Sequence, residues 1–107
     1  MTAQLMVKST LIDPNARDAF DQWYGEDHLP QAARAFSPSR CWRAWSDQDP
    51  TIHYAFYEFA EPSQIADMMA SRTFADLVDD FSQKWDGKVI RVRDVTTRVQ
   101  LIDASPS

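Results

Sequence analysis

The sequence predicts one α+β domain, a four-stranded antiparallel sheet with its helices on one face. Three observations lead there. β-rich runs open and close the chain and form a pair in its middle. Two stretches with helical apolar spacing fall between those runs, and no linker or composition shift divides the 107 residues. A chain of that length is a prior for a single domain able to bury a core without disulfide or metal.

Residues 4–12 (QLMVKSTLI) read as the first strand, with apolar groups on both alternating sets. Leu5, Val7, Ser9 and Leu11 form one set; Met6, Lys8, Thr10 and Ile12 form the other. Asp13-Pro14 is a helix start, an N-capping acid before a proline in the first turn. Ala16, Ala19, Phe20 and Trp23 then make an apolar stripe. Pro30 biases Leu29 away from helical geometry, so this helix is expected to end close to His28. Residues 30–36 read as a second short helical turn, and Ser37-Pro38-Ser39 as a loop.

Residues 40–46 (RCWRAWS) and 52–59 (IHYAFYEF) are β-rich and flank the turn-forming cluster Asp47-Gln48-Asp49-Pro50-Thr51, which predicts a hairpin. Glu61-Pro62-Ser63 opens another helix with Ile65, Met68 and Met69 apolar. Thr73 is read as the cap of a following segment in which Phe74, Leu77, Val78, Phe81 and Trp85 recur at helical spacing, with Gly87 ending it. Residues 88–102 are the last β run, long enough to suggest a bend or bulge. The order β-α-β-β-α-β is the split βαβ, ferredoxin-like arrangement. The domain is assigned to 1–103, and 104–107 are read as a disordered tail. With helices covering one sheet face, the aromatic side chains of the other set would meet water, so a homodimer packed sheet against sheet is expected.

Sixteen acidic against eleven basic residues give a net charge of −5. That argues against nucleic acid or an anionic membrane as partner, since both require a basic face. Arg91 and Arg93 are the nearest thing to a basic cluster. Cys41 is the only cysteine, so no intrachain disulfide forms, and it is read as a small buried residue. No run approaches the roughly 18 apolar residues of a membrane span and no signal-like segment opens the chain, so a cytoplasmic location is expected. Two glycines leave no room for a phosphate-cradling loop, and His28 with Glu26 and Asp27 is too compact to supply three converging metal ligands. Neither a cofactor nor a metal is expected.

The candidate site is Trp23-Tyr24-Gly25-Glu26-Asp27-His28-Leu29-Pro30. An imidazole titrates near neutrality and can accept or donate a proton with little adjustment. The plainer alternative for His28 is a helix-ending ring bonded to a nearby carbonyl. His53, on a strand among aromatics, is read as packing or hairpin surface. Arg43 lies between Trp42 and Trp45 on a strand expected to face the dimer core, where it requires a carboxylate, a stacking ring or an anionic ligand. Glu58 is its candidate partner if the hairpin register pairs the two, and an ion pair is the simpler reading. Trp45, Tyr54, Phe56 and Tyr57 are candidate walls for a flat ligand, whereas Trp85 completes a helix stripe and belongs to the core.

The pattern Trp-Tyr-x-Glu-x-His-x-Pro at 23–30, with the strand Tyr54-Ala55-Phe56-Tyr57-Glu58-Phe59, resembles the EthD-like branch of the dimeric α+β barrel superfamily. The order of elements and the chain length match as well. The resemblance implies a pocket near His28, between the helical layer and the sheet, in a superfamily whose members include cofactor-free oxygenases, lactone isomerases and polyketide-processing dehydratases. It makes His28 the leading proton-transfer residue; in the enzyme reading built on it, Tyr57 and Arg43 are the expected stabilisers of the developing oxyanion. Trp23, Tyr24, Trp45, Tyr54 and Glu58 complete the substrate-binding set. An apolar aromatic or polyketide-like carbonyl compound is the expected ligand. Two alternatives stand beside the enzyme: a non-catalytic module binding an aromatic metabolite or haem, and a purely structural dimer.

Overall fold

A computed structural model describes residues 1–105. Four strands, β1 (Ala3–Leu11), β2 (Arg40–Trp45), β3 (Ile52–Phe59) and β4 (Val89–Thr97), form one antiparallel sheet in the order β2-β3-β1-β4. Between β1 and β2 run α1 (Arg17–Trp23) and α2 (Leu29–Phe36); between β3 and β4 run α3 (Pro62–Met69) and α4 (Arg72–Trp85). The fold is α+β and ferredoxin-like. Alternation decides the core. Along β1 every second residue is buried, and Ala3, Leu5, Val7 and Leu11 pack with Ala55, Tyr57 and Phe59 of β3 against Phe20, Tyr24, Ile65, Leu77, Phe81 and Trp85 from the helical side.

Local signals account for most boundaries. Asp13 accepts a hydrogen bond from the Asn15 amide and Pro14 fills the first turn. Glu61 and Gln64 form a reciprocal capping box with Pro62 inside it. The helix after it is capped by Ser71, whose hydroxyl accepts from the Phe74 amide at 3.1 Å, and not by Thr73, which lies inside the first turn. Gly87 takes φ +74°, the left-handed geometry that stops α4 before β4. The last strand ends at Thr97, earlier than its β-rich composition suggested, and Val99, Leu101 and Ile102 are exposed beyond it. Of the tail read as disordered, 104–105 carry no regular structure and 106–107 lie outside the described residues.

The expected break at His28 does not occur. Residues 24–28 form a π-turn that joins α1 to α2, and the Leu29 amide donates back to the Tyr24 carbonyl. Pro30 lacks an amide hydrogen, and its ring would crowd the carbonyl four residues earlier in a regular α-helix. The wider turn relieves that crowding without ending the helix. It also changes which side chains meet. Residues five apart in an α-helix sit about 140° apart around the axis, whereas i→i+5 closure returns them to one side. Trp23 and His28 accordingly stack, with ring centroids 4.8 Å apart and planes 23° apart.

Candidate functional site

His28 is buried at the inner face of the π-turn, enclosed by three rings. Trp23 stacks on it, while Tyr24 and Phe81 meet it edge-on at 4.8 and 5.5 Å. Nδ1 is sealed with no hydrogen-bond partner among the described residues. Burial, helped by the Arg91 charge, lowers the imidazole pKa to about 4. The ring is therefore neutral at pH 7 and carries the lone pair a base needs, while burial makes it a weaker base than a free imidazole.

A cavity of about 40 Å³ opens beside it, between the helices and the covered face of the sheet. Tyr24, His28, Ala32 and Phe36 line it from the first helical run, Met68, Phe74, Leu77 and Val78 from α3 and α4, and Leu5, Val7, Tyr57, Arg91 and Arg93 from the sheet. The Tyr24 and Tyr57 hydroxyls lie 3.4 Å apart, a long contact in which either can donate. Burial raises both phenols, Tyr24 to about 12 and Tyr57 further still, so both remain protonated donors at neutral pH. The space holds about three waters. A ring-sized ligand enters only if side chains at the mouth, such as Arg91, Arg93 and Phe74, move aside.

The structure thus brings together His28, Tyr24 and Tyr57, with Trp23 behind the imidazole. It separates the other residues singled out from the sequence. Arg43 is on the helix-facing set of β2 and pairs with Asp21 at 2.6 Å, and Trp45 Nε1 donates to the same carboxylate oxygen at 2.8 Å. Both donors hold the Asp21 carboxyl below its usual range. Neither Arg43 nor Trp45 lines the cavity. The expected Arg43–Glu58 pair does not form, because the register sets Arg40 opposite Glu58 and Arg43 opposite Ala55, with Arg43 and Glu58 on opposite faces. Glu58 instead accepts from Arg40 at 2.8 Å and Arg98 at 3.1 Å. Tyr54 lies on the same outward face, stacked on Phe56, which in turn stacks on Trp42. Tyr54 and Glu58 are therefore on the side of the sheet away from the cavity.

His53 is fully buried among Phe20, Tyr24 and Trp45, with neither ring nitrogen partnered among the described residues. Burial lowers its pKa to about 4. Cys41 is half-buried, not enclosed as expected, and burial raises its thiol pKa. Three residues near these groups were not singled out as site candidates from the sequence: Asp21, Arg91 and Arg93. The two arginines did carry a signal. Residues two apart on a strand share a face, so their spacing alone placed both guanidinium groups on one side of β4.

No group of three or more His, Cys, Asp or Glu side chains is placed to hold a metal ion among the described residues, and no helix there is long and apolar enough to cross a membrane. No family model and no curated protein matches the sequence. Solved structures do match. The sheet order and the one-sided helical layer define a ferredoxin-like α+β fold, and the solved structures that match share it. HapK from Hahella chejuensis superposes with a TM-score of 0.70 at 18% identity, covering 97% of this chain and 99% of that one. An ethyl tert-butyl ether D (EthD) family protein from Bacillus halodurans gives 0.67 at 12% identity, over 88% and 97%. SnoaB from Streptomyces nogalater, a cofactor-independent oxygenase, gives 0.65 at 9% identity, over 95% and 97%. At these identities the likeness is one of fold.

Proposed function

We propose that this protein is a small-molecule enzyme that works by proton transfer at His28 on an apolar aromatic or polyketide-like carbonyl compound. The observation that carries the reading is a neutral, buried imidazole lining a cavity that also admits two protonated tyrosine hydroxyls. His28 accepts a proton from carbon next to the carbonyl, or from a phenol. The oxygen left with the negative charge takes a hydrogen bond from Tyr57 or Tyr24. Returning the proton to a different carbon gives isomerisation, and passing it to a hydroxyl on the neighbouring carbon, whose C–O bond breaks to release water, gives dehydration. Leaving the carbanion for molecular oxygen gives the cofactor-free oxygenase outcome, the activity stated for SnoaB. Trp23 fixes the plane of the imidazole from behind.

Hydrogen–deuterium exchange tests this without the natural substrate. In D₂O the protein should accelerate exchange at the acidic carbon of anthrone, followed by NMR, and His28→Gln should slow it by about a hundredfold or more. Equal rates for the two proteins would overturn the assignment.

The open sheet face supports a homodimer. Trp42, Ile90 and Val92 are 37, 57 and 56% exposed there, beside the stacked Tyr54 and Phe56. The small cavity favours one rival, a structural dimer without chemistry. That rival predicts no exchange catalysis and no ligand response at His28.

A further inference from the structure

We infer that Arg91 and Arg93 form an anion-recognition site at the cavity mouth, so that the ligand is an aromatic acid whose carboxylate sits against β4. This deepens the proposed function, since it rests on the same cavity. The register places Arg91 opposite Ser9 and Arg93 opposite Val7, on the covered face of the sheet, and both side chains line the cavity.

Their unpaired state is the central observation. Arg40, Arg43, Arg72 and Arg98 each pair with a carboxylate, whereas Arg17, Arg34, Arg91 and Arg93 have no such partner among the described residues, and of these four only Arg91 and Arg93 line the cavity. A chain with sixteen acids and a charge of −5 does not lack partners to offer. Instead, each guanidinium lies over an aromatic face, Arg91 3.7 Å from the Phe81 centroid and Arg93 5.1 Å from that of Phe74. Stacking of this kind satisfies the flat face of a guanidinium and leaves its N–H edge for a planar anion. Arg91 is half-buried and Arg93 exposed beside it, and the two like charges repel: burial and then the Arg93 charge lower the Arg91 pKa. A carboxylate between them removes that repulsion and forms charge-assisted hydrogen bonds.

The position also links recognition to chemistry. The charge acting on His28 is that of Arg91 from β4, His53 on β3 is the other imidazole whose protonation is linked to it, and the Trp23, Tyr24 and Phe81 rings close its sides. Arg91 disfavours the imidazolium. A bound carboxylate neutralises that influence and makes His28 a stronger base when the substrate is in place.

The test compares 1-naphthoate with its neutral isostere 1-naphthamide, using calorimetry for affinity and the His28 ring resonances for location. Naphthoate should bind at least tenfold more tightly and shift the His28 signals. Arg91→Gln and Arg93→Gln should bring the two ligands within about twofold, as should Arg91→Met, which keeps an apolar stem over Phe81 if the glutamine variant folds poorly. Arg72→Gln, which removes an exposed arginine, should keep the full preference. If naphthamide binds as tightly and still moves His28, the anion site is wrong while the cavity reading survives. If neither ligand moves His28, both fall. A carboxylate preference that persists in every Arg91 and Arg93 variant would overturn the assignment to these residues.

Discussion

Replacing His28 by glutamine and His53 by phenylalanine in one chain removes the only imidazoles, and the consequence can be worked out as a pH profile. Each ring is lowered from an ordinary 6.5 to about 4 by burial. The folded state therefore binds fewer protons than the unfolded state between those values, and stability rises with pH across that window. The contribution is complete above pH 6.5 and is lost as pH falls toward 4. At pH 5 the loss is about 2 kcal/mol for each ring, or about 4 kcal/mol for the two acting independently. That is a large share of the 5–15 kcal/mol that usually holds a domain of this size. Carboxyls do not blur the result, since Asp21, Asp49 and Glu58 are all held below their usual range and lose their contribution at lower pH. Urea unfolding followed by tryptophan fluorescence at pH 7, 6 and 5 measures the slope directly. The parent protein should lose about 4 kcal/mol over that range and the double variant less than about 1, whatever its stability at pH 7. A parent profile flat from pH 7 to 5, or an equal slope in the double variant, would refute the claim that both rings are held neutral by burial.

Tyr57→Phe should slow the anthrone exchange by about tenfold to a hundredfold while leaving the fold intact, since it deletes one donor to the enolate oxygen; unchanged exchange would leave Tyr24 as the sole donor. A Cβ at Gly25 would lie 2.6 Å from Arg43 Nη2, on the guanidinium whose Nη1 pairs with Asp21. Gly25→Ala should therefore destabilise the parent, yet stabilise an Arg43→Ala chain by up to about 1 kcal/mol through helix propensity, a sign change that urea titration of the four proteins would detect. Ser71→Ala should cost about 1 kcal/mol and Thr73→Ala much less, judged by thermal melting. Val92→Lys places a charge on the open sheet face and should convert a dimer to monomer in sedimentation; an unchanged mass would move the interface elsewhere.

Most of the fold was legible because it rests on short-range rules. Strand β1 shows its alternation, the turn cluster at 47–51 joins β2 and β3, and the stripe of Leu77, Phe81 and Trp85 buries as one face of α4. Asp13, Pro14 and Gly87 act within a few residues of themselves and mark the boundaries they were read to mark. The Ser71 cap was missed for a local reason. Ser71 and Thr73 are both plausible caps two residues apart, and only the hydrogen bond to the Phe74 amide separates them.

The site was harder to read because its parts meet only through pairing and packing. Register decides that Tyr57 points inward beside Leu5 while Glu58 points outward beside Gln4, and a slip of one residue would exchange them. Without the register, both are candidates for the site, Tyr57 as an oxyanion partner and Glu58 in the substrate-binding set. Arg43 shows the same dependence, since its carboxylate comes from α1 and not from the paired strand. The π-turn is the deepest case. Pro30 correctly signals that a regular α-helix cannot pass unchanged, but whether the chain stops or widens depends on what the widened turn buries. Here widening seats Tyr24 against the sheet and stacks His28 on Trp23, so packing of three rings favours continuation over termination. The same turn that accommodates the proline thus turns the imidazole inward, and a straight helix would carry His28 away from Trp23 and so out of this cage. The proline that suggested a helix end at His28 is better understood as a cause of the continuous turn that buries it.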